Sequence, residues 1–417
     1  MVSTTICIIG GGPAGVEFAA ALMSKLKEGR PQITLFEKGD CIGASILSNW
    51  GHVRLFSTWA LNVSPTGVAA LRNADAAAKY DEDVCPTGSE YVHEYVQPLA
   101  QALDIDIELE CTVVSVSRVA CHKQNMGQNR GASQFQILFS CAGVEKYAKF
   151  DVVIDCSGCF ENRPYFGRNG LPAIGERKIP AHQITHKIAK SHIKDLELIQ
   201  EMKKVAVAVF GSGYSAATSV KNLLENPNIG EIYWFTRKSV NGGKGLYQVI
   251  EDDPLAERKS LCELANKLAS SSSSSDQRKK CIHIGNVVAS EVAITSGGQL
   301  ELHLESLVDG GDAPSRSSVV VDFIHKNVGL RPDMSIASEL QVHYCYASDG
   351  PMKLAASLGG GGDCLAQKSA GVETLLNPEP NFFVGGIKSY GRNSSYLHKM
   401  GIAQAEEIAT YLKENAQ

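Results

Sequence analysis

The feature that most constrains this chain is a glycine-rich turn that occurs twice, each time between a short apolar strand and a helix of small residues. The first follows Thr4-Thr5-Ile6-Cys7-Ile8-Ile9 and reads Gly10-Gly11-Gly12-Pro13-Ala14-Gly15. The second follows Val205-Ala206-Val207-Ala208-Val209-Phe210 and reads Gly211-Ser212-Gly213-Tyr214-Ser215-Ala216. In such a turn the first glycine permits the tight bend and the second lets backbone approach a pyrophosphate. The third position, Gly15 or the nearly as small Ala216, lets helix and strand pack closely. A diphosphate would meet the free N–H groups and the positive dipole end of the helix. One such turn alone could be an ordinary strand-to-helix loop. A strand, a turn, a helix and a charged group at the end of the next strand, found together, are far more specific.

The two copies differ in that charged group. The strand at residues 32–36 ends in Glu37-Lys38, about 20 residues past the turn, where a carboxylate can accept both hydroxyls of an unmodified ribose. The strand at residues 232–236 ends in Arg237-Lys238, which suit a 2′-phosphate. The expectation is FAD on the first turn, held by Gly10, Gly12, Pro13, Ala14, Gly15, Glu37 and Lys38. NADPH is expected on the second, held by Gly211, Gly213, Tyr214, Ser215, Ala216, Arg237 and Lys238.

These signals make the chain α/β, with two Rossmann-like dinucleotide-binding domains, the FAD domain split in sequence, and a small β-meander. Residues 85–110 read as a helix with Tyr91, Val92, Tyr95, Val96, Leu99 and Leu103 at helical spacing, followed by a strand at 105–116. The polar stretch 121–133 reads as a hairpin loop, and strands at 135–141 and 150–154 complete the meander. The last of these ends in Asp155-Cys156-Ser157-Gly158-Cys159. A Pro- and Gly-rich crossing spans 163–180, and Ser270 to Ser275 reads as a surface loop. The expected domains are residues 1–165 for FAD, 166–320 for NADPH, and 321–417 returning to the FAD domain.

Composition fits a soluble enzyme: 417 residues, 44% of them hydrophobic, can bury substantial cores. A net charge of −5 with acid and base intermixed gives no electrostatic case for nucleic acid or an anionic membrane. No apolar run approaches the roughly 20 residues of a membrane span, and the apolar start lacks the basic leader of a signal peptide. The twelve cysteines show no framework spacing, so reduced thiols in a cytoplasmic protein are expected. The eleven histidines show no metal-ligand spacing with cysteine or acid, so no metal is expected.

The two Gly turns with Glu37-Lys38 and Arg237, the Ser157-Gly158 turn, and the C-terminal Asn381-Phe382-Phe383-Val384-Gly385-Gly386 resemble the two-dinucleotide-binding-domain flavoproteins. Within them the layout is most similar to flavin-containing monooxygenases, with a looser likeness to the pyridine nucleotide-disulfide oxidoreductases. The resemblance implies that Ser157, Gly158, Gly386 and Gln404 help to hold FAD, and that Asn49 lies beside the reactive carbon of the flavin. It implies a final helix from about Tyr396 to Leu412, N-capped by Ser394 or Ser395, whose positive end faces the flavin, with Lys388 and Arg392 adding positive charge. The implied activity is NADPH-dependent oxygenation of a small N- or S-containing nucleophile, with O2 as co-substrate, and a homodimer is compatible with it. The alternatives are a disulfide or quinone reductase and a redox-sensing flavoprotein. Cys156 and Cys159 form a C-x-x-C pair, but they flank a strand-closing turn in place of following the second Gly turn, so a redox role is not expected of them.

Overall fold

The computed structural model describes residues 4–29, 31–76, 80–126, 129–191, 204–238, 245–270, 280–307, 314–358 and 368–415. The Ser271 to Ser275 stretch therefore lies outside the described residues. The chain divides into two compact units, Met1–Asn162 with Leu330–Gln417, and Arg163–Gly329.

In the first unit, β1 (Thr5–Ile9) leads through the Gly turn into a helix, Pro13–Lys25, and then to β2 (Gln32–Phe36), which lies parallel to β1 with Ile9 opposite Phe36. β3 (Asp106–Glu108) extends the parallel sheet beyond β2, and β4 (Cys111–Arg118), β5 (Phe135–Cys141) and β6 (Val144–Phe150) form the antiparallel meander. β7 (Val152–Asp155) returns to the parallel sheet beside β1. The sheet is buried on both faces because β1 alternates. Ile6 and Ile8 pack with Val16, Phe18 and Leu22 of the helix, whereas Cys7 and Ile9 pack with Val116, Phe135 and Ile137 of the meander.

In the second unit β8 (Ile184–Thr185), β9 (Val205–Phe210), β10 (Ile229–Thr236), β11 (Cys281–Gly285) and β15 (Phe323–Lys326) make a parallel sheet in the order β11-β10-β9-β15-β8. A helix, Tyr214–Glu225, follows the Gly turn after β9. β12 (Val287–Ile294), β13 (Leu300–Ser306) and β14 (Arg316–Val321) form a second antiparallel meander. After Leu330 the chain supplies β16 (Phe382–Val384), completing the first sheet as β16-β7-β1-β2-β3. Four strands follow the same path in both sheets, β3-β2-β1-β7 and β11-β10-β9-β15, each with a three-stranded meander inserted at the same point, whereas the fifth strand comes last in the first unit (β16) and first in the second (β8). The α/β architecture with two Rossmann-like units is as expected from sequence. None of the described helices is long and apolar enough to cross a membrane.

Several local expectations are corrected. The stretch 105–116 is two strands in two sheets, broken at Glu110, whose φ of 55° turns the chain from β3 into the meander. The helical stretch before it is a helix at Gly88–Tyr91, a π-helical turn at Val92–Val96 and a helix at Gln97–Ala102. The meander closes with β6, and 152–155 belongs to the parallel sheet. β6 carries no buried alternation, since five of its seven residues are exposed and three are charged, and it is joined to β5 by a two-residue turn in which Ala142 and Gly143 both have positive φ (50° and 80°). The return to the first unit comes at Leu330, because Phe323–Lys326 pairs with β9 in the second sheet. Cys111 and Cys141, cross-strand partners on β4 and β5, form a disulfide, contrary to the expected reduced thiols.

A buried charge cluster fastens the segment before β16 to the meander. Glu379 accepts from Arg118 Nε at 2.7 Å and Arg130 Nη2 at 2.8 Å, and the Gln341 N–H donates to it at 2.8 Å. Burial by itself would raise the Glu379 carboxyl, but the hydrogen bonds from Arg130, Gln341 and Arg118 outweigh it and hold the group below the usual carboxylate range. Glu379→Gln is expected to cost about 3–5 kcal/mol in urea unfolding, because it leaves two buried guanidinium groups without their counter-charge. A depressed folded pKa contributes stability above the ordinary value of 4.5, lost as pH falls through the folded pKa. The native protein should therefore show an acid-dependent loss of stability that the variant lacks.

Candidate functional site

At the first turn Gly10 has φ 104°, and a Cβ on it would lie 2.6 Å from the Cys156 carbonyl oxygen at the end of the neighbouring strand β7. A Cβ beyond hydrogen at Gly15 would lie 2.0 Å from the Gly10 carbonyl oxygen, so helix and turn are in direct backbone contact there. Gly12 is different, because no described atom lies within 4 Å of its Cβ position. It is also the helix N-cap, in extended conformation (φ −78°, ψ 178°), with no side chain capping the first-turn amides and Pro13 opening the helix. Glu37 is buried beside Gly11 and accepts the Gly11 and Gly39 N–H groups, one on each oxygen, both at 2.7 Å. Each oxygen keeps a lone pair for a further donor. Lys38 points elsewhere, into an exposed pair with Glu161 at 2.9 Å.

The second turn repeats the geometry. Gly211 has φ 134° and a Cβ there would lie 2.1 Å from the Asn327 carbonyl oxygen, just after β15. Ala216 is fully buried against it, and Gly213 is again an extended N-cap with open space at its Cβ position and no capping side chain. Tyr214 and Gly213 are exposed and Ser215 half-buried, while Arg237 and Lys238 are exposed at the end of β10. Two residues not anticipated from sequence hold this turn. Trp234 Nε1 donates to the Gly211 carbonyl at 2.9 Å, and the Tyr247 hydroxyl donates to the Gly213 carbonyl at 3.1 Å with its ring stacked on Tyr214. Trp234 sits in a strand where its indole reads simply as core, and only the fold brings its N–H to the turn.

A third group of residues gathers at the same end of the first sheet. Gly386 has φ 64° and a Cβ there would meet the Ala14 Cβ at 2.6 Å, so the segment after β16 lies against the first Gly turn. Gln404 is buried and locks that segment, accepting the Gly386 N–H at 2.9 Å and donating to Ser389 Oγ at 2.9 Å. Lys388 is no solvated loop cation. Its side chain is 1% exposed, and Nζ donates to Asp155 Oδ2 at 2.6 Å and to Ser157 Oγ at 2.8 Å. Asp155, overlooked from sequence, is a single acid closing the apolar strand Val152–Asp155, and that lone buried charge was the signal that a cation must meet it. Arg392 is exposed and paired with Asp349 at 2.6 Å. Asn49 is buried on a short helix, Ala44–Trp50, its amide donating to the Ser45 carbonyl at 2.8 Å. The final helix runs His398–Glu414 with Leu397 as N-cap and no capping side chain, so neither Ser394 nor Ser395 caps it. Ser395 instead donates from N–H and Oγ to Asn393 Oδ1, a local turn that delays the helix start.

Cys156 and Cys159 are not disulfide-bonded, and are 7% and 2% exposed. Burial, and after it the charge of Asp155, pushes the Cys156 thiol well above its ordinary value, with only partial relief from Lys388. Such a thiol supplies little thiolate, the form that attacks a disulfide.

Residues 7–149 match the family model described as pyridine nucleotide-disulphide oxidoreductase. No curated protein matches the sequence. Among solved structures, the chain is similar to the bacillithiol disulfide reductase Bdr (YpdA) from Bacillus cereus at 16% identity, covering 99% of each chain with a TM-score of 0.66. It is similar to the Kutzneria sp. 744 ornithine N-hydroxylase KtzI, solved with reduced FAD, NADP+ and L-ornithine, at 14% identity, 100% of each chain and a TM-score of 0.63. It also resembles T. acidophilum thioredoxin reductase at 13% identity, 99% of this chain and 98% of that one, with a TM-score of 0.59. The fold of the whole chain is therefore that of the FAD- and pyridine-nucleotide-dependent oxidoreductases, as the sequence resemblance implied, and it is shared by reductases and a hydroxylase alike.

The glycines of the first turn have separable roles. Gly10→Ala should lower thermal stability, by about 1–3 kcal/mol, since it combines a positive φ with a backbone clash. Gly12→Val, in extended backbone and open space, should leave the unfolding midpoint of ligand-free protein within a degree or two. Calorimetric melts of the two variants check both.

Proposed function

We propose that this chain is an FAD-containing, NADPH-dependent oxidoreductase that oxygenates a small N- or S-containing nucleophile. The observation that carries the reading is the repeated strand path with an uncapped, glycine-opened helix at each centre and opposite charge beside it, Glu37 in one unit and Arg237-Lys238 in the other. The open Cβ positions of Gly12 and Gly213 fit a pyrophosphate lying on the backbone, and the remaining lone pairs of Glu37 fit ribose hydroxyls. In the first unit Gly10, Gly12, Pro13, Ala14 and Gly15 would cradle the FAD diphosphate, with Glu37 on the ribose and the 157–158 and 386–389 segments alongside. In the second, Gly211, Gly213, Tyr214, Ser215 and Ala216 would hold the NADPH diphosphate, and Arg237 and Lys238 its 2′-phosphate. Bound FAD supplies the two-electron chemistry that links a nicotinamide to a second acceptor. The protein's own part is to orient it and to exclude water.

The burial of Cys156 and Cys159, which raises the Cys156 thiol well above its ordinary value, supports O2 over a disulfide as the final acceptor. The likeness to bacillithiol disulfide and thioredoxin reductases keeps a disulfide reductase as the second reading. Oxygen uptake driven by NADPH should persist within a few-fold in Cys156→Ser/Cys159→Ser. Loss of an NADPH-driven disulfide reduction in that variant would favour the second reading. Arg237→Ala should raise the KM for NADPH by about tenfold, the loss of one charge-assisted hydrogen bond, and leave that for NADH nearly unchanged. Equal use of both nucleotides by the native protein would overturn the NADPH assignment.

A further inference from the structure

Ser157 stands at the surface beside the first Gly turn, its Cα 2.9 Å from the position a Gly10 Cβ would take. Ser157 is exposed, and the space at the Cβ position of the next residue, Gly158 (φ 75°), holds no described atom within 4 Å apart from its own chain neighbours. The serine hydroxyl is held from beneath by two buried ions. Ser157 Oγ donates to Asp155 Oδ1 at 2.7 Å and accepts from Lys388 Nζ at 2.8 Å, while Asp155 and Lys388 pair with each other at 2.6 Å. The polarity of this triangle is forced. A carboxylate only accepts and an ammonium only donates, so the serine proton must go to Asp155, and one of its two lone pairs is taken by Lys388. What Ser157 offers to the open side is a single lone pair and no proton.

The geometry points to Ser157 as a hydrogen-bond acceptor for a hydroxyl of the sugar-alcohol chain of bound FAD, with Lys388 and Asp155 as positioning residues that fix its polarity. A diphosphate oxygen at neutral pH also has only lone pairs and would be repelled from this position. The part of FAD that can donate near the turn is the polyhydroxylated chain between diphosphate and ring. This inference rests on the FAD reading of the first unit. It also accounts for a lysine buried close to an anion-binding turn without facing it, since its charge is spent on Asp155.

The test titrates full-length protein freed of flavin with FAD and, separately, with ADP, which carries the adenosine and diphosphate but no sugar-alcohol chain. Binding of neither ligand by native protein would refute the FAD reading itself, independently of Ser157. With both bound, Ser157→Ala, a change at an exposed position, should weaken FAD about five- to tenfold, the effect of one lost neutral hydrogen bond, and leave ADP within twofold. An unchanged FAD affinity, or an equal fall for FAD and ADP, would overturn the proposal. The double variant Lys388→Met/Asp155→Asn removes both charges together, so neither ion is left buried alone. It should reproduce the FAD-specific loss of Ser157→Ala, and adding Ser157→Ala to it should cause no further loss. Additive losses would show that the pair does not act through Ser157. If the double variant fails to fold, Ser157→Ala alone decides.

Discussion

The carboxyl end of each sheet depends on a backbone contact that a methyl group would prevent. Gly10 lies against the carbonyl of Cys156, and Gly211 against that of Asn327, each the residue just past the strand that neighbours the central one. Central strand and neighbour can therefore end together, and the following helix starts directly over the sheet with its amides uncapped by any side chain. Placed there, the helix end would serve the proposed function as an anion site, with the adjacent strand end supplying the group that reads the sugar. The same solution in both units, down to the antiparallel insertion before the neighbouring strand, leaves charge and the origin of the outer strand, β16 or β8, as the differences between them.

The first unit is interrupted by a whole second unit and must be held together by contacts distant in sequence. Two buried charge clusters do this. Lys388 reaches Asp155 across 233 residues of chain, and Arg118 reaches Glu379 across 261. Such pairs add little net stability over an apolar core, but an unmet charge is costly, so each cluster admits one partner arrangement and penalises the rest. The backbone bridge between Asn162 and Arg331 closes the junction where the chain leaves and returns. The C-terminal segment is thereby held against the first Gly turn through Gly386, Lys388 and Gln404.

Cysteine chemistry follows from the same packing. Cys156 lies so close under the turn that its sulfur would be 3.0 Å from a Cβ at Gly385, and the burial that makes this packing possible also keeps the thiol protonated. Cys111 and Cys141 face each other only because β4 and β5 pair in a register that the sequence does not announce. The C-x-x-C spacing marked Cys156 and Cys159 as a pair and their placement spoke against a redox role; the fold buries that pair and bonds two cysteines thirty residues apart.

Local chemistry alone determined the two strand-turn-helix units, their glycines and the charge at each following strand end, because a tight turn, an uncapped helix and a terminal acid or base act over a few residues. The α/β architecture could be read for the same reason. The break at Glu110, the exposed strand β6, the late start of the last helix and the disulfide could not, since each is decided by which strand or turn lies alongside. Lys388 is the clearest case. In sequence it is a cation in a polar loop after a short apolar strand. Only the tertiary structure, by bringing β16 beside β7, sets it on Asp155 in the core, because the cost of burying either charge alone makes each the necessary partner of the other.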